Sequence, residues 1–147
     1  MKLKKYRWPN NTVSYRIDES LEGDKEIIKE AMYHIMNKTL GCIDFVEIEG
    51  VNQTQPYVLI KRADDCRATV GVSVSHIFLN FGENVFQADP KRPETSITLN
   101  TECLSKMGHI VHELLHTLGM VHEHQRPDRD KYVVIKEQLL LVSSINL

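Results

Sequence analysis

Long apolar runs are missing from this 147-residue chain. Nothing in it approaches the roughly 18 consecutive apolar residues that a membrane-crossing helix needs, so a span is excluded. A charge excess of one sign is missing too, because 18 basic and 20 acidic side chains are mixed along the chain and leave a net charge of −2. Without a basic stripe to follow a phosphate backbone, nucleic acid is excluded as a partner. The opening MKLKKYRWPNN is basic, but no apolar stretch follows it, so it does not read as a signal peptide. Repeats, low-complexity tracts and linkers are also lacking, which leaves a single domain, expected to be monomeric. Cysteine is scarce: Cys42, Cys66 and Cys103 are an odd set, leaving one thiol over if the other two bond.

What is present suffices for a core, with 41% hydrophobic residues. N-x-[ST] triplets begin at Asn10, Asn37 and Asn52, and together they lean towards an oxidising, extracellular setting. After a Trp8-Pro9-Asn10-Asn11 turn, TVSYRI (12–17) alternates as a strand does. Residues 24–38 carry Ile27, Ile28, Ala31, Met32 and Ile35 at helical spacing, with Asp24 as the expected N-cap and Gly41 as the stop. Residues 42–49 and 57–62 read as strands, and 96–100 as a short one. Residues 68–88 have strand composition, but Gly71 and Gly82 suggest bends or an irregular edge, and 89–95 form a loop. Residues 103–118 read as one helix ended by Gly119, followed by a turn at 126–130 and an extended 132–135. This order predicts an α+β fold, a twisted mixed sheet backed by two long helices.

Five of the seven histidines fall within residues 109–124. On a helix each residue advances about 100°, so His112 and His116 lie about 40° apart on one face, one turn from each other. Both imidazoles can then approach one ion without bending the backbone. Glu113 lies about 100° round from His112, too far to be a third ligand, but placed to hold a water on the metal. His122 would face away if the helix continued. Gly119 removes the difficulty, because glycine accepts the left-handed conformation that ends a helix and turns the chain back. Three neutral imidazoles with an open fourth position describe a catalytic zinc site, one ion per chain, rather than a closed structural one. Zinc lowers the pKa of bound water towards about 7 and polarises a carbonyl, while Glu113 takes and returns the proton; amide hydrolysis needs these parts. Chance clustering of surface histidines is the bland alternative, and the full HExxHxxGxxH spacing restricts it severely.

HELLHTLGMVHEHQRPDRDKYV resembles the signature of the astacin family of zinc metalloproteases, within the metzincins. RWPNNTVSYRID is similar to the family's opening strand, IDFVEIE to its second, and DDCRATVG to its cysteine-bearing loop, so the likeness covers nearly the whole chain. The resemblance implies peptide or protein substrates, an extracellular location, zinc on His112, His116 and His122, and Glu113 as general base. It implies that Glu123 is the family glutamate that meets the mature amino terminus; the plainer reading is a solvated charge. It also implies a Cys66–Cys103 disulfide, with Cys42 lacking its partner in this chain. A free buried thiol is the plainer reading of each cysteine.

Two differences from the family pattern shape the expectations. No S-x-M-H-Y-type segment follows residue 130, so a metzincin-like N-terminal subdomain without most of its C-terminal subdomain is expected. Met1 lies seven residues before Trp8, as in a fragment or a mature-like chain cut at both ends. The leading reading is a zinc-dependent endopeptidase. The second is a catalytically inert zinc-binding fragment or decoy, with ligands kept and substrate positioning lost. The strand near 68–86 is the expected upper rim, where an extended peptide adds as an edge strand. Arg126, Asp128, Arg129 and Asp130 read as charges paired around a turn, and Tyr132 falls too early to be an extra metal ligand.

Overall fold

The computed structural model describes residues 8–49, 56–72 and 94–136. Its first strand, β1 (Thr12–Ile17), follows a short turn over Pro9–Asn11 in which Asn10 and Asn11 take positive φ. Strict alternation buries Val13, Tyr15 and Ile17 and leaves Thr12, Ser14 and Arg16 half-covered, so one face of the sheet is the core face. Helix α1 (Lys25–Lys38) buries Ile28, Ala31, Met32 and Ile35, a stripe at i, i+3, i+4 and i+7. It returns the chain to β2 (Asp44–Glu47), which runs parallel to β1 as a helical crossover requires. Next come β3 (Tyr57–Arg62), the two-residue β4 (Arg67–Ala68) and β5 (Glu94–Leu99).

The sheet order is β2-β1-β3-β5-β4, all parallel except β4, which pairs antiparallel with β5. Register aligns the buried positions in rows: Tyr15 opposite Val58 and Val58 opposite Thr95, then Ile17 opposite Ile60 and Ile60 opposite Ile97. On this face α1 and α3 (Met107–Thr117) pack against each other and the strands, closing a core with Leu21, Leu99, Ile110 and Leu114 fully buried. Each such side chain contributes about 1.5–3 kcal/mol by leaving water. The architecture is the α+β fold expected, a mixed sheet backed by two helices.

Several boundaries differ from the sequence reading, each for a local reason. Asp24 does not cap α1; its carboxylate pairs with Arg62, and Asp18 caps the preceding turn by accepting from the Ser20 amide at 3.0 Å. Helix α1 ends in paired closing bonds, Gly41 N–H to the Met36 carbonyl (2.9 Å) and Leu40 N–H to that of Asn37 (3.2 Å). The left-handed residue at the turn is therefore Leu40 (φ 53), one place before Gly41, which itself has φ 74. The strand expected over 42–49 is Asp44–Glu47, and the one expected over 96–100 begins at Glu94, inside the expected loop.

The expected helix 103–118 is two helices, α2 (Thr101–Leu104) and α3, separated by an extended Lys106 (φ −139). Asn100 caps α2 through the Cys103 amide (2.9 Å), while the Ser105 hydroxyl donates to the Glu102 carbonyl (2.6 Å) and competes with helix continuation. Residues 132–135 form no ladder strand; a short turn at Arg129–Lys131 leads into them. The expected rim strand lies outside the described residues beyond Val72. Among the described residues no helix is long and apolar enough to cross a membrane.

Candidate metal centre

The buried stripe of α3 is Ile110, Glu113, Leu114 and Thr117. Three of these suit a core. Glu113, only 6% exposed, does not, because a carboxylate withdrawn from water costs free energy unless something compensates it. Its carboxylate has no hydrogen-bond or ion-pair partner among the described residues, yet neither oxygen is sealed from solvent. It opens instead on a cleft of about 410 Å³, shared with His109, His112, Asn100 and the Cys66–Cys103 disulfide.

His112 and His116 flank that stripe one turn apart, and the end of α3 brings the third histidine to them. Gly119 has φ 93, and two bonds close the turn: Gly119 N–H to the His116 carbonyl (2.8 Å) and Met120 N–H to the Leu115 carbonyl (3.1 Å). This paired arrangement with glycine in the left-handed position reverses the chain sharply. His122 then returns over the helix face. Its Nε2 lies 3.2 Å from those of His112 and His116, which are themselves 3.0 Å apart.

Three ring nitrogens this close can all reach one point between them, and hydrogen bonds among themselves cannot satisfy all three. Ligand nitrogens 2.0–2.1 Å from a tetrahedral zinc stand about 3.3 Å apart, so the donor set fits such an ion. His116 is fixed further by its other nitrogen, which stands 2.7 Å from the Met120 carbonyl oxygen. A carbonyl only accepts, so Nδ1 carries the proton and Nε2 presents its lone pair to the other two rings. Among the described residues, His112, His116 and His122 form the one cluster of three or more metal-capable side chains.

The end of α3 is tied down from far along the chain. All four final carbonyls have partners: Leu114 accepts from the Thr117 hydroxyl, Leu115 from Met120, His116 from Gly119 and Gly71, and Thr117 from the Trp8 indole (2.8 Å). Neither the Met120 carbonyl nor the Gly71 amide could be read from the sequence as a partner of this helix end, because a backbone carbonyl or amide is carried by any residue type. The disulfide joins Cys66 to Cys103 across 6.3 Å between Cα atoms, fastening the approach to β4 to α2, and Cys42 is free and exposed. Closing this 37-residue separation stabilises the chain by about 4 kcal/mol in the chain-entropy account.

Glu123 pairs with Arg126 at 2.9 Å, and the same guanidinium forks onto both oxygens of Asp128 at 3.0 Å. Hydrogen bonding to Arg126 holds the Asp128 carboxyl below its ordinary range, as the guanidinium's charge also does. Any contact of Glu123 with the first seven residues lies outside the described residues. Arg129 reaches the His124 carbonyl (3.0 Å) and faces Asp130, so the four charges expected around the turn do pair there. Tyr132 lies under Arg126, with its ring centre 5.5 Å from the guanidinium carbon.

The family model for Astacin, a peptidase family, matches residues 1–144. Astacin-like metalloprotease toxin 2 of Loxosceles intermedia is 32% identical over 92% of this chain and 44% of its own length. The dorsal-ventral patterning protein tolloid of Drosophila melanogaster is 35% identical over 91% of this chain and 11% of its own. Among solved structures, high choriolytic enzyme 1, a hatching enzyme zinc-protease from Oryzias latipes, shares the fold with a TM-score of 0.68. That likeness runs at 24% identity over 94% of this chain and 60% of that one. The chain thus spans less than two thirds of each of these relatives. A match over nearly its full length, with the signature histidines folded into one cluster, establishes that the chain belongs to the astacin family of peptidases.

Proposed function

We propose that the chain carries the zinc site and general base of a metalloendopeptidase. The observation that supports this most is the meeting of three Nε2 atoms within 3.2 Å, beside a buried carboxylate that has no other partner among the described residues. In this reading His112, His116 and His122 hold zinc, which when bound makes water acidic and polarises a carbonyl. Glu113 takes a proton from the attacking water through its carboxylate. As the carbon–nitrogen bond breaks, it delivers that proton to the leaving nitrogen, releasing an amine and a carboxylic acid whose own proton then passes to the amine, leaving ammonium and carboxylate.

Peptide or protein substrates enter along the cleft that exposes Glu113. The disulfide and the toxin relative support an extracellular setting. Glu123 serves the site indirectly, through the turn that carries His122.

The test pairs zinc content with cleavage of an internally quenched peptide. The reading expects one zinc per chain, measurable cleavage, and a fall of at least about 100-fold in kcat for Glu113→Gln with zinc retained. One zinc with no cleavage, and no difference between wild type and Glu113→Gln, would instead establish an inert zinc-binding segment.

A further inference from the structure

His112 and His116 stand on a helix anchored in the core, but His122 stands on a segment with no such anchor. From Gly119 to Lys136 no residue is buried. The hydrophobic effect therefore cannot fix where the third imidazole lies. The covalent turn at Gly119 gives the direction of return, and polar contacts must supply the rest.

Those contacts centre on one guanidinium. After His122 the chain makes a single tight turn, with Gln125 N–H on the His122 carbonyl (2.9 Å) and Arg126 N–H on the Glu123 carbonyl (3.2 Å). Arg126 then folds back over that turn. Its Nη1 holds the carboxylate of Glu123, the residue directly after His122, while Nε and Nη2 grip both oxygens of Asp128. Single surface ion pairs contribute little, because two floppy side chains must be ordered in water. A fork bound to two carboxylates at once is different: the planar guanidinium fixes three donor directions together, which an ammonium cannot do. Arg129 adds a bond to the His124 carbonyl (3.0 Å), on the other flank of the turn.

From this placement we infer that Arg126 is a positioning residue for the metal site, holding the His122 loop ready through Glu123 and Asp128. It touches no metal or substrate and acts through His122 alone. The inference rests on the zinc reading, although not on hydrolysis.

The test measures zinc affinity of the full chain by chelator competition, and visible absorption of the cobalt(II)-loaded protein. It compares wild type, Arg126→Gln, Arg126→Lys, Asp128→Asn and His122→Ala. Arg126→Gln is expected to weaken zinc binding by about 10–100-fold, the range for residues that orient metal ligands, and to move the cobalt spectrum towards that of His122→Ala. The metal-free Tm should move little, since the segment buries no side chain and its ion pairs are exposed. Lysine should not restore affinity. Added to His122→Ala, Arg126→Gln should cost nothing more, because its only route to the metal is already gone. Unchanged affinity in Arg126→Gln, rescue by lysine, or an equal loss in the His122→Ala background would each overturn the inference. If Arg126→Gln does not fold, Asp128→Asn provides the same comparison with the arginine kept. A wild-type chain that binds zinc without cleaving peptide sinks the hydrolase reading and leaves this one standing, whereas one that binds no zinc sinks both.

Discussion

Gly119 does for the site what no other residue at that position could do cheaply. Its φ of 93 lies where L side chains are strained, although a Cβ built there would meet nothing within 4 Å. The cost of replacing it is therefore backbone strain rather than collision. Gly119→Ala should lower stability by about 1–2 kcal/mol in chemical denaturation and weaken zinc binding as well. A variant as stable as wild type with equal zinc affinity would show that the reversal does not depend on glycine. Glu113 is the complementary case, a side chain whose burial among Ile110, Leu114 and Thr117 makes sense only by what it faces. Leu40 is strained without any such return. It is 94% exposed, buries nothing of note, and holds a left-handed conformation that costs about 1–2 kcal/mol.

At the scale of elements, the antiparallel β4–β5 pair is, among the described residues, the sheet edge that packs against α3, and Asp65 fastens it. The Asp65 carboxylate accepts from the Thr98 hydroxyl at 2.7 Å and also pairs with Arg67, and these two contacts, in that order, hold its pKa below the ordinary carboxylate range. A depressed folded-state pKa means that the stabilisation is present above the unfolded-chain value and is lost as pH falls through the folded one. Asp65→Asn should therefore lower Tm at neutral pH, and its gap from wild type should close as pH drops below the ordinary carboxylate range. A gap that stayed constant with pH would contradict this.

Elements with strong periodicity were legible in the sequence. β1 alternates and α1 repeats every three to four residues, because each has one wet and one dry face, and both appear where the pattern put them. The break between α2 and α3 was not legible. It accompanies a serine hydroxyl competing for a carbonyl and a cysteine bonded to Cys66, in the loop that leads into β4. The histidine cluster could be read because ligand spacing on a helix is fixed by geometry. The Met120 carbonyl that orients His116 could not, since main-chain groups leave no mark in side-chain identity.

Across the whole molecule, distant segments converge on the last turn of α3. The Trp8 indole and the Gly71 amide, from opposite ends of the N-terminal half, bind consecutive carbonyls at Thr117 and His116. The sheet holds α3 through Ile110 and Leu114, and the disulfide holds α2 just ahead of it. The fold thus makes the helix the core-anchored side of the histidine cluster and leaves the polar loop after Gly119 as the side without buried anchors. This division predicts that zinc affinity depends on both sides, but that global stability depends chiefly on the first.

X-ray absorption at the zinc edge tests this account most directly, because it reads the atoms around the ion without requiring turnover. Wild-type chain loaded with one equivalent of zinc should show three imidazole nitrogens at about 2.0–2.1 Å and one further oxygen scatterer, with one imidazole lost in His122→Ala. A sulfur neighbour from Cys42, fewer than three imidazoles in wild type, or a spectrum unchanged by His122→Ala would contradict it.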